Sequence, residues 1–126
     1  MAAYWGRGNI VSVLLDNRLA EVNENTTLGW TALHTAASNG HSKVVTLLLN
    51  NGAEIDVQCD NGESALIVAA KQGFGEVVTI LLENGANVSL LDQQKYSALM
   101  YSVEFGYVDV VTILLKSGAD INRRIW

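Results

Sequence analysis

The sequence predicts an all-α solenoid in which short helix-turn-helix units stack side by side, each followed by a projecting loop. Three observations predict it. Marker residues recur at a step of 33, as in Leu33, Leu66 and Leu99, in Gly40, Gly73 and Gly106, and in Val44-Val45, Val77-Val78 and Val110-Val111. The same step carries Leu48-Leu49 to Leu81-Leu82 and Leu114-Leu115, and Gly52-Ala53 to Gly85-Ala86 and Gly118-Ala119. Between the markers, apolar residues return every three to four positions, the period of a helix with one buried side.

The elements follow in order. Residues 1–28 read as an incomplete copy: Ala2-Ala3 and Gly6 answer Ala36-Ala37 and Gly40 at an offset of 34, and Val22 answers Ile55 at 33, so one extra residue lies between. The chain is expected to open inside a first helix. Full units are expected at 29–61, 62–94 and 95–126. Each begins with a hydroxyl, Thr31, Ser64 or Ser97, able to accept a hydrogen bond from the free N–H groups of a helix N-terminus. A short first helix follows, and Gly40, Gly73 or Gly106 ends it in a left-handed turn. The second helix runs from about Lys43 to Asn50 and over the matching stretches. Gly52, Gly85 and Gly118 stand just past its end, and Ile55, Val88 and Ile121 anchor the next loop. The last unit closes at Trp126 in a loop where another would start, so 1–126 reads as a single domain both of whose ends look cut.

Gly29-Trp30-Thr31-Ala32-Leu33-His34-Thr35-Ala36-Ala37, with Gly40-His41, Val44-Val45, Leu47-Leu48-Leu49 and Gly52-Ala53, resembles the ankyrin repeat almost position for position. The resemblance covers nearly the whole chain and implies an ankyrin-repeat solenoid with projecting β-turn loops. Four departures carry expectations. The family's helix-starting proline is Ala32, Ala65 and Ala98, so helix starts should be weaker. Its histidine survives only as His34 and becomes Ile67 and Met100, so a side-chain hydrogen-bond ladder between units cannot continue and packing must replace it. Lys95 stands where Gly29 and Gly62 stand, and a positive φ costs a non-glycine residue about 1–2 kcal/mol, so that loop is expected to be remodelled. Ser102-Val103 replace the paired alanines, which predicts a wider or re-registered last contact.

Composition bounds the function. Apolar residues make up 49% of the 126, enough for the core of one modest domain. A net charge of -5 repels a phosphate backbone, so no nucleic-acid partner is expected. Apolar runs are a few residues long against the roughly 20 that a membrane span needs, so no membrane partner is expected either. The apolar run from Ile10 to Leu15 is broken by Ser12 and lacks a small-residue cleavage site, which argues against a signal peptide. Cys59 is the single cysteine, so no internal disulfide forms. Together these point to an intracellular, cytoplasmic setting.

Only side chains that point away from the stack are free for recognition. In ankyrin-like proteins the recognising surface is concave, formed by loop tips and the open side of the first helix. On this sequence the resemblance places there Tyr4, Trp5, Thr27, Leu28, Trp30, Ser38 and Asn39, then Asp60, Asn61, Glu63, Lys71 and Gln72. The last unit adds Leu91, Gln93, Gln94, Tyr96, Glu104 and Phe105. Tyr and Trp give large contact area for few rotors and dominate interface hot spots, so their presence points to a protein or peptide partner. Sideways packing of Trp5, Trp30, Tyr96 and Phe105 onto neighbouring helices is the competing structural role. The acidic Asp60, Glu63 and Glu104 around Lys71 suit a mixed to mildly basic partner face.

The expected function is therefore a rigid protein-interaction scaffold, not an enzyme, with no cofactor, no metal and no catalytic residue. A spacer role within a longer array, or end-to-end self-association through uncapped end units, are the rival roles. A Cys59 thiolate served by His34 or His41 is disfavoured, because the phasing puts Cys59 in a loop, His34 within a first helix and His41 at a turn. Two histidines and one cysteine lack zinc spacing, and Gly6-Arg7-Gly8 follows no strand that would build a phosphate cradle. Asn25-Thr26-Thr27 and Asn87-Val88-Ser89 fit the glycosylation sequon but, without an export signal, read as incidental. The resemblance also marks Glu21-Val22-Asn23 and Asp120-Ile121-Asn122 as loop sites of a kind that animal cells hydroxylate on asparagine.

Overall fold

A computed structural model describes residues 29–118. Its six helices, α1 (Ala32–Ser38), α2 (Ser42–Asn50), α3 (Ala65–Gln72), α4 (Gly75–Glu83), α5 (Ala98–Glu104) and α6 (Val108–Lys116), fall into three consecutive pairs. The first helix of each pair starts on the expected hydroxyl. Thr31 Oγ1 accepts from His34 N at 3.3 Å, Ser64 Oγ from Ile67 N at 3.3 Å and Ser97 Oγ from Met100 N at 3.2 Å. Such a cap contributes about 1 kcal/mol, so each helix start keeps a firm anchor without proline.

Each turn closes in the same register. His41 N donates to Ala36 O at 3.0 Å, Phe74 N to Ala69 O at 3.1 Å and Tyr107 N to Ser102 O at 2.9 Å. First helices pack on first helices, α1 on α3 and α3 on α5, while α2, α4 and α6 form a second layer behind them. Between the layers lies one continuous core. Val44, Val45, Leu48, Val77, Val78, Leu81, Val110 and Leu114 fill it from the second helices, and Leu33, Leu66 and Leu99 from the first. Ala36, Ala37, Ala69 and Ala70 have no exposed surface, which is what close approach of stacked helices requires.

The structure corrects two expectations. The loop at Lys95 is not remodelled. Lys95 takes φ 69°, beside 73° for Gly29 and 80° for Gly62. Its hydrogen bonds repeat those of the preceding loop: Lys95 N donates to Asp92 O (2.9 Å) and Asp92 N to Tyr96 O (3.0 Å), as Gly62 N does to Cys59 O (2.8 Å) and Cys59 N to Glu63 O (3.0 Å). The compensation is the Asp92 carboxylate, whose Oδ1 accepts from Gln94 N at 2.9 Å and Tyr96 N at 3.0 Å. Nor is the last contact re-registered. Ser102 is fully buried and its hydroxyl donates to Leu99 O at 2.8 Å, so it occupies an alanine's place with its polarity satisfied inside its own helix.

Candidate functional site

The first helices and the loop tips carry a strip of rings and charges across the three pairs. It begins at Trp30, partly buried against the core, whose Nε1 donates to Thr35 Oγ1 at 2.9 Å. The Trp30 ring lies 4.9 Å from that of His34. His34 is nearly fully buried and both ring nitrogens are engaged. Thr31 N donates to Nδ1 at 3.1 Å, which leaves Nε2 as the protonated nitrogen that donates to Glu63 O at 2.7 Å. The contact ties the first pair to the loop of the second. Burial lowers the His34 pKa from its ordinary value against the pull of the Glu63 carbonyl and carboxylate, and keeps the ring neutral.

Glu63 turns its carboxylate to Lys71 and forms an ion pair with its ammonium. The same Lys71 ammonium sits 4.9 Å from the centroid of the Tyr101 ring, a cation–π placement. Tyr101 in turn donates its hydroxyl to Asp92 Oδ2, inside the loop that precedes α5. Desolvation first, and the Asp92 carboxylate second, push the Tyr101 phenol well above its ordinary range. Rings then continue outward: Tyr96 lies 5.1 Å from Tyr101, Phe105 6.2 Å from Tyr101 and Tyr107 6.0 Å from Phe105. The result is a path from His34 through Glu63, Lys71 and Tyr101 to Asp92, with Trp30 at one end and Phe105 at the other.

The expected surface residues divide accordingly. Asn39, Asp60, Asn61, Gln72, Gln93, Gln94, Glu104 and Phe105 are exposed, whereas Trp30, Ser38, Glu63, Lys71, Leu91 and Tyr96 are partly buried. Trp30 and Tyr96 thus both pack and present an edge. Gln93 also holds the loops together, its N donating to Asn61 O at 3.0 Å and its Nε2 to Asp60 O at 2.6 Å. Tyr4, Trp5, Thr27 and Leu28 lie outside the described residues. Lys71 is committed to Glu63 and Tyr101, and Asp60 and Glu104 are exposed acidic groups on the same side.

His34 was expected as the one surviving member of a ladder between units, but sequence did not single out Tyr101 and Asp92. A signal was present for the last two. One step back from Asp92 and Tyr101 stand Cys59 and Val68, so an acid and a phenol enter the repeat together, in the same unit, at positions that meet.

The arrangement offers contact surface. With Nδ1 and Nε2 both engaged, His34 is no base for Cys59, which is buried and unpaired. Among the described residues no group of three or more His, Cys, Asp or Glu side chains could hold a metal ion. None of the described helices is long and apolar enough to cross a membrane. A family model described as ankyrin repeats (3 copies) matches residues 1–59 and 51–125. A search of curated proteins returns no match.

Proposed function

The chain belongs to the ankyrin-repeat family, whose members in general serve as protein-protein interaction modules, and from that premise we propose that it grips a protein or peptide partner on its concave side. The units are 29–61, 62–94 and 95–126 after a partial one at 1–28. The contact surface is the strip from Trp30 to Phe105, with Ser38, Asn39, Asp60, Asn61, Glu63, Lys71, Gln72, Gln93, Gln94, Tyr96 and Glu104, extended by Tyr4, Trp5 and Leu28. What supports this most is the pinned row of rings: Trp30, His34, Tyr96, Tyr101 and Phe105 contact one another or bonded neighbours. A partner therefore meets side chains that lose little rotamer freedom on binding.

The role is that of a rigid scaffold without catalysis. An acidic chain with net charge -5 fits neither a nucleic-acid ligand nor an anionic membrane surface, and a lone unpaired cysteine suits an intracellular, cytoplasmic setting. The test compares Trp30→Asp and Tyr96→Asp with Glu83→Lys on α4, each checked for helical content, in pull-downs from a cell extract followed by titration of the captured partner. The expected result is loss of the partner in the first two variants and retention in the third. Retention in the first two, or loss only in the third, overturns the concave assignment.

A further inference from the structure

Asn39-Gly40, Asn51-Gly52, Asn61-Gly62 and Asn84-Gly85 repeat one dipeptide along the chain. Asparagine is chemically labile, and this pair has its own route of loss. The backbone nitrogen that follows an asparagine attacks the side-chain Cγ, and glycine, lacking a β-carbon, hinders the approach least. The N–Cγ bond forms, the Cγ–Nδ2 bond breaks, and ammonia leaves with the proton that the backbone nitrogen gave up, closing a cyclic imide. Water then opens the ring. Cleavage at Cγ gives aspartate, cleavage at the main-chain carbonyl gives isoaspartate, and neither step needs an oxidant or a reductant.

The backbone holds all these pairs in an unreactive shape. Gly40 N donates to Ala37 O at 3.3 Å, Gly52 N to Leu49 O at 3.2 Å, Gly62 N to Cys59 O at 2.8 Å and Gly85 N to Leu82 O at 3.1 Å. At Asn39, Asn51 and Asn84 ψ is 2°, 20° and 14°, so the next nitrogen eclipses the residue's own nitrogen and points away from Cβ. Attack therefore requires the glycine amide to leave its carbonyl and the backbone to rotate. The pairs differ in what blocks that rotation. The Phe74 ring of the next helix pair covers Gly40, as the Tyr107 ring covers Gly73: a β-carbon on Gly40 would stand 3.0 Å from Phe74 Cε1, and one on Gly73 2.8 Å from Tyr107 Cε1. Gly62 lies against the next loop, where a β-carbon would stand 2.8 Å from Gln93 N and 2.9 Å from Asp92 Cα, and Gln93 fastens Asn61 O and Asp60 O. At Gly52 and Gly85 a β-carbon would meet nothing within 4 Å. Of these two open pairs, Asn84-Gly85 has both residues exposed, whereas Asn51 is half-buried.

We propose that Asn84 is a modification site, at which the folded protein deamidates with water as the only reagent, ahead of Asn39, Asn51 and Asn61. The last turn of α4 opens there without displacing a neighbouring pair, and opening of that kind costs least. The change alters the helix end. Asn84 Nδ2 donates to Ile80 O at 2.8 Å and so caps the C-terminus of α4. A carboxylate has no proton to donate; it meets the partial negative charge of the helix end and the adjacent Glu83. Isoaspartate also lengthens the main chain by one carbon where the loop leaves the helix. Neither Asn84 nor Gly85 belongs to the concave strip, so the proposal stands or falls apart from that surface.

The experiment holds the full chain in mildly alkaline buffer, folded in one series and unfolded in guanidinium chloride in the other. Samples taken over time are digested and read by mass spectrometry for replacement of amide by carboxyl at each asparagine. In the unfolded series the Asn-Gly pairs should convert at similar rates, because the dipeptide alone then sets them. In the folded series Asn84 should convert first, with Asn39 and Asn61 about tenfold or more slower, since moving a packed ring or breaking a cross-loop bond adds to the cost of opening. Asn84→Gln should abolish the early conversion, and Asn84→Asp should lower the urea midpoint of unfolding more than Asn84→Gln does. Conversion of Asn39 or Asn61 as fast as Asn84 in the folded chain overturns the proposal. So does an Asn84 that stays intact there while the unfolded chain converts, or a ranking that persists in guanidinium chloride. An Asn84→Asp midpoint no lower than that of Asn84→Gln overturns the stated effect on the helix end.

Discussion

Replacing Gly73 by alanine tests the ring-on-glycine joint directly, because Gly85 supplies a matched control. Both glycines hold left-handed backbone, φ 79° and 89°, but a β-carbon on Gly73 would lie 2.8–3.0 Å from the Tyr107 ring, whereas one on Gly85 would have nothing within 4 Å. The backbone component is common to both. An L-residue in this region costs about 1–2 kcal/mol, and restricting the unfolded chain returns about 0.4–1 kcal/mol, which leaves ~1 kcal/mol for Gly85→Ala. Gly73→Ala adds the displacement of a packed ring, an overpacking cost of about 1–3 kcal/mol, for a total of ~2–4 kcal/mol. With a urea m-value of about 2 kcal/mol per molar, the unfolding midpoint should fall by ~0.5 M in the control and by ~1–2 M in Gly73→Ala. In a Tyr107→Ala background the excess of Gly73 over Gly85 should vanish, since the ring is what creates it. Equal midpoints for the two single variants, or an excess that survives removal of the ring, would refute the reasoning.

Two other predictions concern single residues, His34 and Lys95. His34 is held neutral by burial, so its folded pKa lies below the unfolded value of 6.5. Its contribution to stability is therefore complete above that value and is lost as pH falls from 6.5 toward the lowered pKa, because the unfolded chain then binds the proton more readily. Thermal unfolding followed between pH 8 and pH 5 should show this fall in the parent and a smaller one in His34→Gln, and identical profiles would dismiss the assignment. Lys95→Gly should raise the urea midpoint by an amount equivalent to about 0.5–1 kcal/mol, since the loop already has the glycine shape. A lower midpoint would mean that the lysine side chain holds the loop.

The repeat step made most of the architecture legible. Thr31, Ser64 and Ser97 marked helix starts because capping is local chemistry, and the valine and leucine pairs marked the core because burial follows helical period. What local rules could not supply was the joint effect of residues far apart in the chain. Lys95 alone argues for a changed loop, yet Asp92 accepts two N–H groups of the same loop and keeps its shape. Ser102 alone argues against tight packing, yet its hydroxyl turns inward to Leu99 O. Lys71 reads only as a cation among acidic neighbours on a recognition surface, until Glu63 and Tyr101 are seen to claim it. Trp30, Tyr96 and Phe105 were identifiable as strip members, but Tyr101 was not, because its register position is an aliphatic core site in the preceding unit.

The layering of first helix on first helix and second on second gives each pair its strongest contacts with the pairs beside it. Among the described residues α3 and α4 pack against a pair on either side, so opening them breaks two junctions, and amide exchange should be slow in that pair. A ligand spanning Trp30 to Phe105 would touch all three pairs at once, and fraying at either end would then forfeit binding energy as well as packing. Occupancy should accordingly even out exchange along the array, turning a chain of semi-independent segments into a single cooperative body.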